Sequence, residues 1–391
     1  MVDHAPVLGL PVKLAMMALV LLGILGVVVG FVLSPLEEWL WLLVGFVVFV
    51  GIANGMLAWA AIFRVAQARW TPVIIRIAQS ALAFMPVMGI VLIALLAGVS
   101  GYMPWVAHSV RGKGAWLNVL FLVVREVLSL GVFWVLCWLM VRWNLIADEK
   151  VNSGEEITER EHFRMNAISV AVVMWYAVAS TLVSWDFIMS LSPEWVSTMF
   201  APYYFCTNIF AAMGVMIIAS AVLRKIPDTQ PHLKPGQFND MGNLMLAFAL
   251  FDMGLFFAQY LTIWYENLPE ETPFLLIRYM YGPWPVLGWM AFAIAYAIPF
   301  VLLQSRIIKM NAKPASGVAV LALLGFMLER YVLVVPSLRP DKLMIAPVGV
   351  LTLLGFIGAL ALSMAWFLGR CPLISGAQAV LAEVNKGDES I

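Results

Sequence analysis

The chain has 391 residues, of which 63% are hydrophobic and 12% are charged. Soluble domains contain about 45–50% apolar and about 25% charged residues, so this composition excludes a soluble globular protein and indicates an integral membrane protein. The 23 basic and 23 acidic residues cancel, so no excess of charge points to nucleic acid as a partner. The cysteines, Cys137, Cys206 and Cys371, are far apart, which excludes the usual sequence patterns of zinc and iron–sulfur sites.

Ten apolar segments follow one another along the chain, each long enough to cross about 30 Å of hydrocarbon. They lie near residues 12–33, 39–62, 73–98, 115–142, 166–191, 198–223, 240–266, 284–305, 316–336 and 345–368. The segments are continuously apolar, which is typical of helices, whereas membrane β-strands alternate apolar and polar residues. We therefore predict an all-α integral membrane protein with ten transmembrane helices. The even number suggests two four-helix bundles flanked by the first and last helices.

The distribution of Lys and Arg predicts the orientation. Fifteen lie on the side of the N-terminus and five on the other side, and an excess of positive charge marks the cytoplasmic side. Both termini are therefore expected in the cytoplasm, and the first span, which no cleavage pattern follows, is read as a retained helix. The longest connection, residues 143–165, reads as a solvated mixed-charge loop that can include a short helix.

Redox centres are not expected within this chain. Its histidines, His4, His108, His162 and His232, lie outside the predicted spans, so facing helices offer no axial imidazoles to a haem. No nucleotide-binding glycine pattern is present either. Any redox role therefore depends on cofactors in partner subunits.

Ionisable residues inside the spans are the main functional signal, because a charge at the bilayer centre costs at least about 2.5–3.5 kcal/mol on insertion scales. They are Arg76, Arg125, Glu126, Asp186, Asp252, Glu329 and Arg330. Arg125 and Glu126 are at a depth similar to that of Glu329 and Arg330, so we expect these four as intramembrane ion-pair candidates, cross-paired between their helices.

Asp252, Gln259 and Glu266 are spaced i, i+7 and i+14 in the seventh span, which places them on one helix face. Gln259 and Glu266 follow Asp252 at roughly 10 Å and 21 Å along the axis, toward the non-cytoplasmic surface. This pattern predicts a proton half-channel from the middle of the membrane to the outside. Packing by interhelical hydrogen bonds and a substrate or ion site are the alternatives.

Arg76 and Gln79 lie one turn apart near the cytoplasmic start of the third span. They are candidates for a polar entry on the inner side, with Asn54 of the second span facing them. Alternatively, Arg76 extends to the lipid headgroups, because long basic side chains near a membrane boundary can reach the interface.

Two sequence segments carry a resemblance to a known family. They are SWDFIMSL at Ser184–Leu191, followed by Pro193-Glu194-Trp195, and FAQYLTIWYENLPEET at Phe257–Thr272. With the ten-span layout and the Pro299, Phe300 and Arg306 run, they resemble the NrfD-like membrane subunits of the polysulfide-reductase anchor type. Within that family, the chain is most similar to the second such subunit of bacterial alternative complex III, and the resemblance covers about residues 40–370.

The resemblance implies a role in a quinol:electron-acceptor oxidoreductase of the bacterial cytoplasmic membrane. It implies as partners a second NrfD-like subunit, an iron–sulfur protein and c-type cytochrome subunits, besides membrane lipids. Quinol or menaquinol, iron–sulfur clusters and c-type haems would be held by those partners, with no cofactor bound by this chain. By position, Asp186 and the Gln259–Glu266 stretch are the polar residues that the family would contribute to a proton route.

Two other functions compete with this reading. A secondary transporter would also have about ten spans and charges at the midplane, usually within two related halves, whereas the sequence shows no clear repeat. A purely structural anchor would use the same polar residues only for packing.

Overall fold

The computed structural model describes residues 8–68, 70–107, 110, 112–344 and 346–376. Throughout these residues the fold is all-α without strands, and ten helices are long and apolar enough to cross a membrane, which confirms the predicted fold class. The helices are α1 Leu10–Leu33, α2 Pro35–Val65, α3 Ile74–Ala97, α4 Val119–Asn152, α5 Glu159–Phe187, α6 Phe200–Leu223, α7 Pro235–Glu266, α8 Pro285–Leu303, α9 Ala312–Val334 and α10 Pro347–Leu368.

The loop predicted at residues 143–165 is wrong, because most of that segment is helical. Helix α4 continues to Asn152 and α5 begins at Glu159. A capping box starts α5, in which the Thr158 hydroxyl accepts from the Glu161 amide and the Glu161 carboxylate accepts from the Thr158 amide. Loss of hydropathy marks the membrane boundary, whereas local capping and helix propensity decide where a helix ends.

Two spans are irregular near prolines. In α3 a 3₁₀ turn, Ser80–Phe84, precedes Pro86, and in α8 a π-helical turn, Ala293–Ala297, precedes Pro299. A proline cannot donate the regular backbone hydrogen bond, so the neighbouring turns change their bonding pattern. The π turn contains Tyr296, whose side chain is fully buried inside the protein.

Helices α2 to α5 form one four-helix bundle, and helices α6 to α9 form another. In each bundle, consecutive helices pack against each other and the first helix also packs against the last. Helices α1 and α10 flank the bundles and pack against each other. Gly23 lies against Gly355, and Met16 and Leu19 lie near Gly358, so this pair is antiparallel. Glycines allow such a close backbone approach between membrane helices.

The two bundles meet mainly where α2 packs against α6. The Trp59 indole of α2 donates to the Ile209 carbonyl at 2.9 Å, and the Tyr204 hydroxyl of α6 donates to the Val47 carbonyl at 3.0 Å. The most apolar stretch of α2 is completely buried. This contact brings polar residues of the two bundles close together inside the protein.

Candidate functional site: buried ionisable residues

Three groups of buried polar side chains occupy the bundles. The first-bundle cluster consists of Arg125, Glu126 and Asp186, and the second-bundle cluster consists of Tyr203, Asp252, Tyr296, Glu329 and Arg330. The terminal-face cluster, Arg76, Gln79 and Asp148, lies near the face from which α1 starts. The opposite face is called the outer face below, in keeping with the predicted orientation.

Arg125 and Asp186 form a bidentate ion pair in the first-bundle cluster. The Nε and Nη2 atoms of Arg125 donate to the two carboxylate oxygens of Asp186, each at 2.6 Å. The Trp116 indole nitrogen also donates to Asp186, at 3.2 Å, and the guanidinium group lies 3.8 Å from the centroid of the Trp116 ring. Asp186 is thus paired through two hydrogen bonds with a cation that also stacks on an indole ring.

Glu126 belongs to the same cluster but is outside the ion pair. Its side chain is fully buried and lies next to the Asp186 carboxylate. Neither of its oxygens accepts a hydrogen bond within the described part of the chain. Buried polar atoms are nearly always hydrogen-bonded, so the Glu126 oxygens, which accept no hydrogen bond from a described residue, are an exception to this rule.

A cavity of about 430 Å³ adjoins this cluster at the outer face. It is lined by three indole rings, one amine and several small hydroxyl groups, contributed by Trp116, Trp185, Trp195, Lys113, Ser190 and Thr198. The Lys113 amine donates to the Pro193 carbonyl at 2.5 Å. Trp116 lines the cavity and also donates to Asp186, so it contacts both the cavity and the ion pair.

Tyr102 lies near this cluster, in the connection between α3 and α4. Its hydroxyl donates to the Leu95 carbonyl at 3.1 Å. Burial, together with the neighbouring Glu126 carboxyl, raises the pKa of Tyr102 well above its ordinary value. The phenol therefore keeps its proton at neutral pH.

Glu329 is the centre of the second-bundle cluster. Its two oxygens accept from the Tyr203 hydroxyl at 2.6 Å and from the Tyr296 hydroxyl at 2.5 Å. The adjacent Arg330 donates to Glu329 at 3.1 Å, and it also bonds the side chains of Thr207 and Asn208. The Glu329 carboxyl group thus accepts hydrogen bonds from donors on three helices.

Asp252 is fully buried in the middle of α7 and interacts electrostatically with Glu329 and Arg330. Neither of its oxygens accepts a hydrogen bond from a described residue. On the same face, Gln259 is buried and Glu266 is exposed. Gln259 and Tyr203 line a cavity of about 10 Å³, about enough for one water molecule.

The expected cross-pairing of Arg125–Glu126 with Glu329–Arg330 is wrong. Arg125 takes its carboxylate from Asp186 of α5, and Glu329 and Arg330 pair with each other. The two arginine–glutamate pairs belong to separate bundles, so similar depth in the membrane did not bring them into contact.

Arg76 is fully buried, so the alternative in which it extends to the headgroups is wrong. It forms an ion pair with Asp148 and donates to the side-chain amide oxygen of Gln79 at 2.6 Å. Asn54, expected to face Arg76, instead accepts a hydrogen bond from the Trp134 indole at 3.1 Å. Asp148 was not among the predicted site residues because the sequence placed residue 148 in a loop, and its partner Arg76 lies on a different helix.

Ser375 covers the terminal-face cluster. Its hydroxyl donates to Asp148 at 2.9 Å and its amide donates to the Pro72 carbonyl at 3.0 Å. The segment after α10 therefore closes this cluster from the terminal face. The predicted polar entry at Arg76 and Gln79 is occupied by protein in this structure.

His162 lies in the first turn of α5 and not in a loop, with its Nδ1 atom 3.4 Å from the Arg64 guanidinium. His4 and His108 lie outside the described residues. Among the described residues, no group of three or more His, Cys, Asp or Glu could hold a metal ion. No protein-family model matches this chain, and no curated protein matches it.

Proposed function

We propose that this chain is a membrane subunit of a quinol-oxidising electron-transfer complex in the bacterial cytoplasmic membrane, and that it supplies a proton route without redox centres of its own. The resemblance of Ser184–Leu191 and Phe257–Thr272 to NrfD-like subunits supports the complex. The observation that carries the proton route is Asp252, a fully buried carboxyl whose oxygens accept no hydrogen bond in the described structure.

The charges of the second-bundle cluster support this role. One cation, Arg330, lies with two carboxyl groups, and Glu329 already pairs with it. An uncompensated buried charge raises the free energy of the protein. The form of the cluster with the lowest free energy is therefore the one in which one of the two carboxyl groups carries a proton. A carboxyl group that holds its proton without a fixed partner is suited to proton exchange.

The outer half of α7 provides the direction of the route. Gln259 cannot release a net proton, but its amide can order water in the small cavity that it shares with Tyr203. A second cavity, of about 80 Å³, lies one to two turns further along and is lined by Asn267 and Thr272. Both cavities lie against the part of α7 between Asp252 and the exposed Glu266. Water in them would divide the distance between these two carboxyl groups, which is too long for direct proton transfer, into shorter steps.

A purely packing role is less consistent with the geometry. Polar side chains that hold membrane helices together do so through interhelical hydrogen bonds. Tyr203, Tyr296 and Glu329 show this arrangement, whereas Asp252 does not.

The Asp252→Asn variant tests the proton route. It removes the exchangeable proton and preserves size, so we expect a normally assembled complex with slower quinol oxidation and less proton release per quinol. Asp240→Asn is the matched control, because Asp240 lies on the same helix but is partly exposed. Quinol oxidation and proton release equal to those of the control variant would refute the proposed route.

The complex itself is tested by purification. The tagged chain, isolated in mild detergent, should carry stoichiometric haem and non-haem iron from its partners. A preparation free of both, with the chain intact, would contradict the proposed assembly and favour a secondary transporter.

A further inference from the structure

Atoms of two side chains in the first-bundle cluster have no hydrogen-bond partner in the described structure. Glu126 is fully buried with two oxygens that accept no hydrogen bond, and the Nη1 atom of Arg125 has no acceptor in the described structure. Arg125 itself is 8% exposed. An unpaired donor and an unpaired acid therefore lie in one buried cluster.

The groups that face Glu126 do not balance a second negative charge. Asp186 comes from α5, Tyr102 from the connection before α4, and Tyr204 from α6. Arg125 is the only cation among the described groups that interact with Glu126, and its charge is already matched by Asp186. Two carboxylates side by side in an apolar interior repel each other, so a proton is the counter-charge that the site lacks.

We propose that Glu126 and Asp186 form a proton-binding site, in which the two carboxyl groups together hold one exchangeable proton beside Arg125. In the loaded state Arg125 is positive, Asp186 is negative and Glu126 is a neutral acid, so the site has no net charge. On release, the O–H bond of Glu126 breaks, the proton passes to water, and Arg125 is shared by two carboxylates with a net charge of −1.

The outer cavity gives this site a connection to water. Trp116 lines the cavity and donates to Asp186, and Ser190, another lining residue, donates to the Asp186 backbone carbonyl at 2.5 Å. Trp116 and Ser190 therefore contact both the cavity and Asp186. Water, or a hydroxyl group of a molecule bound there, is the proton donor or acceptor that this geometry suits.

Tyr204 places the site beside the second bundle. Its ring lies 4.5 Å from the Arg330 guanidinium, and the residue also interacts electrostatically with Glu126. Each bundle thus contains one arginine–carboxylate pair and one carboxyl group whose oxygens accept no hydrogen bond from a described donor, and Tyr204 interacts with both clusters. Proton binding at Glu126 does not require that Asp252 conduct protons, so the two proposals can fail separately.

Infrared spectroscopy of the complete purified chain tests the protonation directly. A neutral Glu126 contributes a carboxylic-acid carbonyl band, and Glu126→Gln should remove one such band at neutral pH. Asp186→Asn should remove the same band, because Glu126 then gives up its proton to become the counter-ion of Arg125. Asp252→Asn is the control and should leave that band in place.

An acid-band region of Glu126→Gln identical to that of the unmodified chain would mean that Glu126 is ionised, and would overturn the proposal. Persistence of the band in Asp186→Asn would also overturn it, because no proton would then be shared. If Asp252→Asn removes no carboxylic-acid band of its own, the proton route through Asp252 fails, whereas the proton-binding site at Glu126 and Asp186 is unaffected.

Thermal unfolding provides a second readout that a simple packing role would not produce. Glu126→Gln and Asp186→Asn should each lower the unfolding temperature slightly, because the remaining carboxyl group can still balance Arg125. The double variant removes both and should lose more than the sum of the two single losses. Additive losses, or a single Asp186→Asn loss as large as that of the double variant, would count against a shared proton.

Discussion

Arg76 and Asp148 form an ion pair that is almost entirely inside the protein, with side chains 0% and 1% exposed. Both ions lose their hydration on folding, so the energy of each depends on the presence of the other. Gln79 accepts a further hydrogen bond from Arg76, and Ser375 donates one to Asp148. The pair therefore ties α3, α4 and the segment after α10 together.

The Asp148→Asn variant should reveal this dependence. Asparagine still accepts from Ser375 but leaves Arg76 as a buried cation without a carboxylate, which costs about 3–5 kcal/mol. Unfolding of the purified chain in detergent measures the loss. Glu161→Gln is the control, because the Lys150–Glu161 pair is partly exposed and should matter much less. Equal effects of the two variants would contradict a buried, charge-dependent pair.

Helix α1 is attached to the protein mainly through α10. Only 17% of its most apolar stretch is buried, and its buried residues are Gly23, Gly26 and Gly30. Lipid tails are as apolar as leucine side chains, so close van der Waals packing has to hold such helices together. The glycine contacts are consequently the main attachment of this element.

Gly355→Ala should weaken the attachment of α1. A methyl group at residue 355 would lie 2.6 Å from the Gly23 Cα atom, and backbone cannot move aside as a side chain can, so the helices must separate at a cost of about 1–3 kcal/mol. Thermal unfolding measures this change. Gly254→Ala is the matched control, because open space surrounds that position on α7. A Gly355→Ala protein as stable as the control would contradict the close packing.

The whole molecule places the two ends of its ten-helix array on one face. The antiparallel packing of α1 against α10 requires this, and the bias of fifteen to five in Lys and Arg predicts that this face is cytoplasmic. The position of Glu126 and Asp252 relative to the outside depends on the same assignment.

Reporter fusions test the orientation. Green fluorescent protein fused after Ile391 should fluoresce, and alkaline phosphatase at the same position should be inactive, because both termini are expected in the cytoplasm. Truncation and phosphatase fusion after Gly112, in the connection between α3 and α4, should give an active enzyme. Phosphatase activity after Ile391 would reverse the assignment.

Much of the fold could be read from local sequence. A run of about 20 apolar residues leaves the chain no alternative to a helix within the membrane, because lipid cannot satisfy backbone hydrogen bonds. The i, i+7, i+14 spacing likewise indicated that Asp252, Gln259 and Glu266 share a face, since helix periodicity is a local property. The helix ends beyond the membrane, such as Asn152 and Glu159, could not be read from hydropathy.

The partners of the buried charges were decided only by the tertiary structure. Sequence showed that Arg125, Glu126 and Asp186 are intramembrane, but the choice of Asp186 for the ion pair depends on how α4 and α5 pack. The same packing leaves Glu126 and Asp252 without hydrogen bonds among the described residues. Distances between helices are set by the contacts of many side chains at once, so no local pattern could predict which acids would form ion pairs and which would not.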